Sequence, residues 1–191
     1  NKKKHTCYRI KNDTYTRFIA PTQKTKKLIN LRANQKGFDY RKQKGKIAGM
    51  NVLQELNLYP GFSSNDTLYL VAHSMGFAYA QGIVEVLRGK IHLGCYYIIA
   101  PENAQSGKVR PSEWHEIWQY GSKFNLKGSD APCLQDGVAP QSSARNLRSS
   151  QRVFIPEELY KRKGFFDSHF IGYYDWILKL QETDPGYIRQ R

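Results

Sequence analysis

LYLVAHSMG, residues 68–76, is an apolar run that stops abruptly at a serine. His73 and Met75 flank Ser74, and small residues, Ala72 and Gly76, stand two places to either side. The hydrophobic period changes at this point. TLYLVAHS reads as a short β-rich run, whereas FAYAQGIVEVLRG (77–89) reads as a helix closed by Gly89. A serine in such a turn either caps the helix with its hydroxyl or is presented by a tight turn as a nucleophile. The second use needs a base, an acid to orient the base, and donors for the oxyanion that forms on attack. The turn itself supplies part of this. An elbow lifts the serine above the sheet edge, small neighbours give clearance, and the Met75 N–H at the helix start faces the oxyanion with the dipole's positive end behind it.

Strand and helix alternate on both sides of this elbow. KKLINLR (26–32) reads as a strand, and TYTRFIA (14–20) as an edge strand. From Phe38 to Leu58, the residues Ile47, Met50, Leu53 and Leu56 recur at threes, a helical period that Gly45 and Gly49 weaken in its first half. YPGFSSND (59–66) is a turn cluster. IHLGCYYIIAP (91–101) is a continuous apolar strand of the kind buried on both faces of a parallel sheet. PSEWHEIWQYG (111–121) is expected as a helix with Trp114 and Trp118 on one face, DAPCLQDGV (130–138) as a weak strand, and QSSARNLRSS (141–150) as a short helix. QRVFIP (151–156) reads as a strand and FIGYYDWILKL (170–180) as a closing amphipathic helix. This order is the signature of an α/β layered fold with a parallel sheet.

A chain of 191 residues with 40% hydrophobic residues, nine Phe, thirteen Tyr and three Trp fits one folded domain. No run approaches a membrane span, and the KKK at 2–4 lacks a following apolar stretch, so no signal peptide is expected. Cys7, Cys95 and Cys133 are odd in number and lack CxxC spacing, which argues against a disulfide framework or zinc site. The net charge of +14 is uneven: residues 1–50 hold fifteen Lys or Arg against Asp13 and Asp39, and the remainder is nearly balanced. Such a segment seeks an anionic membrane surface or an acidic partner, or is simply a solvated basic arm. Its scattered aromatics match no nucleic-acid module.

With a strand before and a helix after, AHSMG resembles the nucleophile elbow of the α/β-hydrolase fold, in its lipase and esterase branch, with alanine in place of the usual first glycine. The resemblance covers about residues 50–180. It implies a single-domain, three-layer fold with a mostly parallel central sheet, minimal or lacking early strands, in which residues 1–27 form a basic arm or edge strand and 28–191 the catalytic domain. The family's triad order, Ser then acid then His, each after a strand, implies three assignments. Ser74 is the nucleophile, Asp136 in QDGVAP is the acid, and His169 in FFDSHF is the base. Glu102 in APEN, directly after the strand that follows the nucleophile helix, is the rival acid. Met75 supplies one oxyanion donor through its backbone. The family's HG motif for the second donor does not occur, and the loop at Ala33 and Asn34 is the candidate. Trp114, Trp118 and Tyr120 either wall the acyl site or pack on the sheet, the commoner fate of such aromatics. The expected reaction is hydrolysis of a carboxylic ester or lipid through an acyl-enzyme, with no metal or cofactor. A vestigial binding or scaffold module on the same frame, and a serine peptidase or acyltransferase using the same triad, are the alternatives.

Overall fold

A computed structural model describes residues 35–121, 143–160 and 171–188. Helix α1 spans Gln35–Leu58, strand β1 Thr67–His73, helix α2 Gly76–Leu87 and strand β2 His92–Ile99. Strand β3 spans Glu116–Gly121, strand β4 Arg152–Phe154, and a short helix α3 Glu157–Tyr160, followed by a 3-10 helix at Ile171–Lys179. The strands form one sheet in the order β1-β2-β3-β4, every neighbouring pair parallel. This is a single-domain α/β fold with helices flanking a parallel four-stranded sheet, as the alternation in the sequence implies.

Period-two side-chain alternation divides the core. Tyr96, Ile98 and Ile117 face α1 and α2, where they meet Phe38, Phe77, Ala78, Ala80 and Val84. Cys95, Tyr97, Ile99 and Tyr120 face the opposite way, against Tyr173, Tyr174, Trp176 and Ile177 of the 3-10 helix. Strand β2 is therefore covered on both faces, which explains its unbroken apolar run. Among the described residues strand β1 is covered on one: Leu68, Leu70 and Ala72 face the helices, while Tyr69 and Val71 are 50% and 61% exposed.

Helices α1 and α2 lie side by side and run parallel. Phe38 meets Phe77 with ring centroids 6.0 Å apart, Gly45 lies against Tyr79, and Gly49 against Ile83 and Val86. The two glycines that weaken the helical pattern are thus the points of closest approach. A Cβ at Gly45 would stand 1.9 Å from the Tyr79 carbonyl oxygen, and one at Gly82 stands 2.0 Å from the Lys42 carbonyl oxygen. Only glycine lets the two backbones come this close.

The helix expected over 111–121 is not formed. Pro111–Glu113 makes one 3-10 turn, Trp114 is already extended, and Glu116–Gly121 is β3. The four-residue spacing of Trp114 and Trp118 imitates a helical face, but pairing with β2 holds the chain in a two-residue period. Trp114, which precedes β3 and lies outside its alternation, joins the helix-side core against Tyr96, with centroids 4.9 Å apart, whereas Trp118 within β3 packs on the other face. The short helix expected over 141–150 is also not formed in its described part. Arg145 bridges to Lys108 in an extended strand pair, leaving only a 3-10 turn at Ser149–Gln151. The closing helix is present as the 3-10 helix. The strands expected at 14–20, 26–32 and 130–138 lie outside the described residues.

Candidate active site

Because all four strands are parallel, the chain leaves each of them at the same edge of the sheet. Ser74 stands on that edge, between the end of β1 and the start of α2. It is a non-glycine residue at φ 56°, in the left-handed region that L-residues avoid at a cost of roughly 1–2 kcal/mol. The turn is held on each side. The Ser74 N–H donates to the Ile99 carbonyl at 3.1 Å. The Ser74 carbonyl accepts from the N–H groups of Phe77 and Glu102, both at 3.1 Å. Ser74 is therefore not a conventional N-cap: Met75 occupies that position with helical dihedrals, and no side chain caps the helix there. The Met75 amide is among those that a helix's first turn leaves without an intrahelical acceptor.

Two further left-handed residues lie on the same edge, Ala100 at φ 43° and Asn103 at φ 51°, just past the end of β2. Between them lies Glu102, one of the few buried charged or polar residues described, at 3% exposure. Its carboxylate Oε1 lies 3.8 Å from Nη1 of Arg41, which reaches over from α1. Glu102 thus touches Ser74 through its backbone N–H, and its carboxylate faces a cation. Arg41 itself carries no signal in the sequence; sixty-one positions separate it from Glu102.

Asp136, His169, Ala33 and Asn34 lie outside the described residues. In sequence, Asp136 follows the last residue of β3 by fifteen positions and His169 follows the last residue of β4 by fifteen. Of the proposed wall residues, Trp114 and Tyr120 are buried in the core on opposite faces of the sheet, and Trp118 is half-buried beside Tyr120's face. The Tyr120 hydroxyl donates to the Gly186 carbonyl at 2.7 Å. Gly76, read as clearance for the elbow, has no atom of the described residues within 4 Å of a Cβ built on it. Ala72 is the buried member of the pair. Among the described residues no three His, Cys, Asp or Glu side chains converge as a metal site would require. No helix among them is long and apolar enough to cross a membrane. The fold and this edge define an α/β protein with a strained serine turn at the carboxyl ends of parallel strands. Comparison with protein-family models, with curated proteins and with solved structures finds no match for the chain.

Proposed function

We propose that this protein is a serine hydrolase of α/β-hydrolase type that cleaves carboxylic esters through an acyl-enzyme. The observation that carries the reading is the left-handed backbone of Ser74 at a strand-to-helix turn. Strain of this kind persists where the surrounding structure over-determines it, and it gathers at functional sites. The order of Ser74, Asp136 and His169 along the chain supports it further, since each follows a strand of one parallel sheet.

In the proposed reaction, His169 accepts the hydroxyl proton of Ser74 as Oγ bonds to the ester carbonyl carbon. The charge that develops on the carbonyl oxygen is met by the Met75 N–H and by a second donor, for which the Ala33–Asn34 loop is the candidate. Collapse breaks the bond to the alcohol, which leaves with the proton from His169. Water, deprotonated by the same imidazole, then releases the acid and regenerates Ser74. Asp136 holds the imidazole's tautomer, and Glu102 is the alternative for that role. The basic residues of 1–50 suit an anionic lipid surface; vesicle binding before and after removal of residues 1–27 tests this.

The test is fluorophosphonate labelling with a chain-length series of p-nitrophenyl esters. Native protein is expected to label at Ser74 and turn over esters, with both lost in Ser74→Ala and His169→Ala. Asp136→Asn is expected to lose far more than Glu102→Gln. The absence of any HG dipeptide favours a second reading, a binding module on the same frame. Folded native protein that leaves Ser74 unlabelled selects that one.

A further inference from the structure

We infer that Phe38 and Arg41 of α1 form a clamp that positions the Ser74 elbow. The Ser74 carbonyl is held by two N–H donors, those of Phe77 and Glu102. Each donor's own side chain is gripped by α1. The Phe77 ring stands edge-on to Phe38, and the Glu102 carboxylate faces Arg41. Phe38 and Arg41 are three residues apart, so one face of the helix reaches both.

Both points are buried. Phe38 and Phe77 are 3% and 0% exposed, and a Cβ on the adjacent Gly107 would lie 2.3 Å from the Phe77 ring and 3.0 Å from Phe38. The Arg41 and Glu102 side chains are 12% and 4% exposed. Removing Arg41 takes away the cation that faces this buried carboxylate, and Glu102 is expected to shift. The Glu102 N–H moves with it, and the Ser74 carbonyl loses one of its two anchors. Arg41 acts on the turn through Glu102, whose carboxylate it faces at 3.8 Å. Glu102 is accordingly a positioning residue, which separates it from the triad acid. For its catalytic consequence the clamp rests on the serine hydrolase reading; its structural core, Arg41 holding the Ser74 turn, does not.

Two measurements on the full chain test it. The first is the second-order rate of fluorophosphonate labelling as a function of pH for native protein, Arg41→Met, Arg41→Lys and Glu102→Gln. Lys46→Met serves as the control, since Lys46 of the same helix pairs with Glu85 at 3.2 Å, away from the elbow. The second is amide hydrogen exchange at Phe77 and Glu102. Arg41→Met and Glu102→Gln are each expected to slow labelling roughly ten- to hundredfold, the range for a misplaced reacting group. Arg41→Lys is expected to recover part of the rate, and the control to match native protein. The pH midpoint of labelling, which reports the base, stays in place, and both amides exchange faster in Arg41→Met. A folded Arg41→Met that labels at the native rate overturns the clamp. So does a Glu102→Gln that abolishes labelling and shifts the pH midpoint while Arg41→Met does neither, because Glu102 is then the triad acid. If native protein does not label, the hydrolase reading falls and exchange alone decides: faster exchange at the two amides upholds the clamp, and unchanged exchange overturns it. If Arg41→Met does not fold, the same comparison is read from Arg41→Lys and Glu102→Gln.

Discussion

Replacing Gly45 by alanine pits two effects of opposite sign against each other at one position. In an isolated helix the change favours folding by about 1 kcal/mol, because alanine is the better helix former. In this fold the new methyl would stand 1.9 Å from the Tyr79 carbonyl oxygen and 2.8 Å from its carbon, where an approach under 3.0 Å is essentially unknown for a real Cβ. The obstructing atoms are backbone, so no rotamer change clears them. Relief requires α1 and α2 to separate by about an ångström along a seam that also carries the Phe38–Phe77 contact. Overpacking of this severity costs about 3 kcal/mol. Subtracting the propensity gain leaves a net loss of about 2 kcal/mol. For a chain of this size that lowers the melting temperature by roughly 4–8 °C. Urea unfolding followed by far-ultraviolet circular dichroism measures it, with Gly76→Ala as the comparison, since a Cβ at Gly76 meets nothing within 4 Å. Gly76→Ala is expected to be neutral or slightly stabilising. A Gly45→Ala protein as stable as the native one refutes the close helix approach.

Three other substitutions probe separate parts of the molecule. Ser74→Gly removes the left-handed strain at φ 56° and is expected to raise stability by up to about 1 kcal/mol after glycine's own entropy cost; a lowered melting temperature contradicts the strain. Tyr120→Phe strips the Gly186 carbonyl of its 2.7 Å donor and is expected to cost about 1–3 kcal/mol in urea unfolding, with an unchanged midpoint as the contrary result. Glu113 accepts from Arg88 at 2.7 Å and Arg110 at 2.9 Å; burial raises its carboxyl, but these two partners outweigh burial and hold it below its ordinary value. Its contribution is therefore complete above the ordinary carboxylate range and lost as pH falls through the lowered value. Glu113→Gln is expected to reduce stability near neutrality by less than about 1 kcal/mol and to flatten the acid limb, whereas an acid limb identical to the native one contradicts the pairing.

Much of the frame is legible because period and punctuation agree. Strand β2 is apolar after its opening His92 and proves to be covered on both faces, and α2 closes before Gly89, which adopts φ 72°. What misleads is spacing that two periods share. Trp114 and Trp118 are four apart, which one helical face and one strand face would both accommodate, yet the two lie on opposite faces because Trp114 stands before β3 begins. The choice was made by pairing with β2, a long-range fact. Gly45 and Gly49 mislead differently, since a glycine's weakness as a helix former is local, whereas the closeness it permits depends on α2. The elbow is legible from small residues around a serine, yet only Ala72 of the two is enclosed by described atoms. Arg41 is invisible because an ion pair across sixty-one positions leaves no pattern in a single chain.

Ala100 shows what the strain at Ser74 belongs to. Its methyl can do no chemistry, yet it sits at φ 43°, as unfavourable as Ser74 at φ 56°. The two occupy equivalent places. The Ser74 N–H makes the last bond of β1 to the Ile99 carbonyl, and the Ala100 N–H makes the last bond of β2 to the Tyr120 carbonyl. Each chain therefore turns left-handed at the residue where its ladder ends. The second turn has a consequence for the first, because two residues after Ala100 the chain brings the Glu102 N–H to the Ser74 carbonyl. A right-handed Ala100 would send Glu102 elsewhere, and that anchor would be lost. At roughly 1–2 kcal/mol for each left-handed residue, neither turn is stable by local preference. Each persists because the hydrogen bonds and the helix-side core hold both together, so the serine turn is a property of two adjacent strand ends and of α1 above them, not of the pentapeptide AHSMG alone.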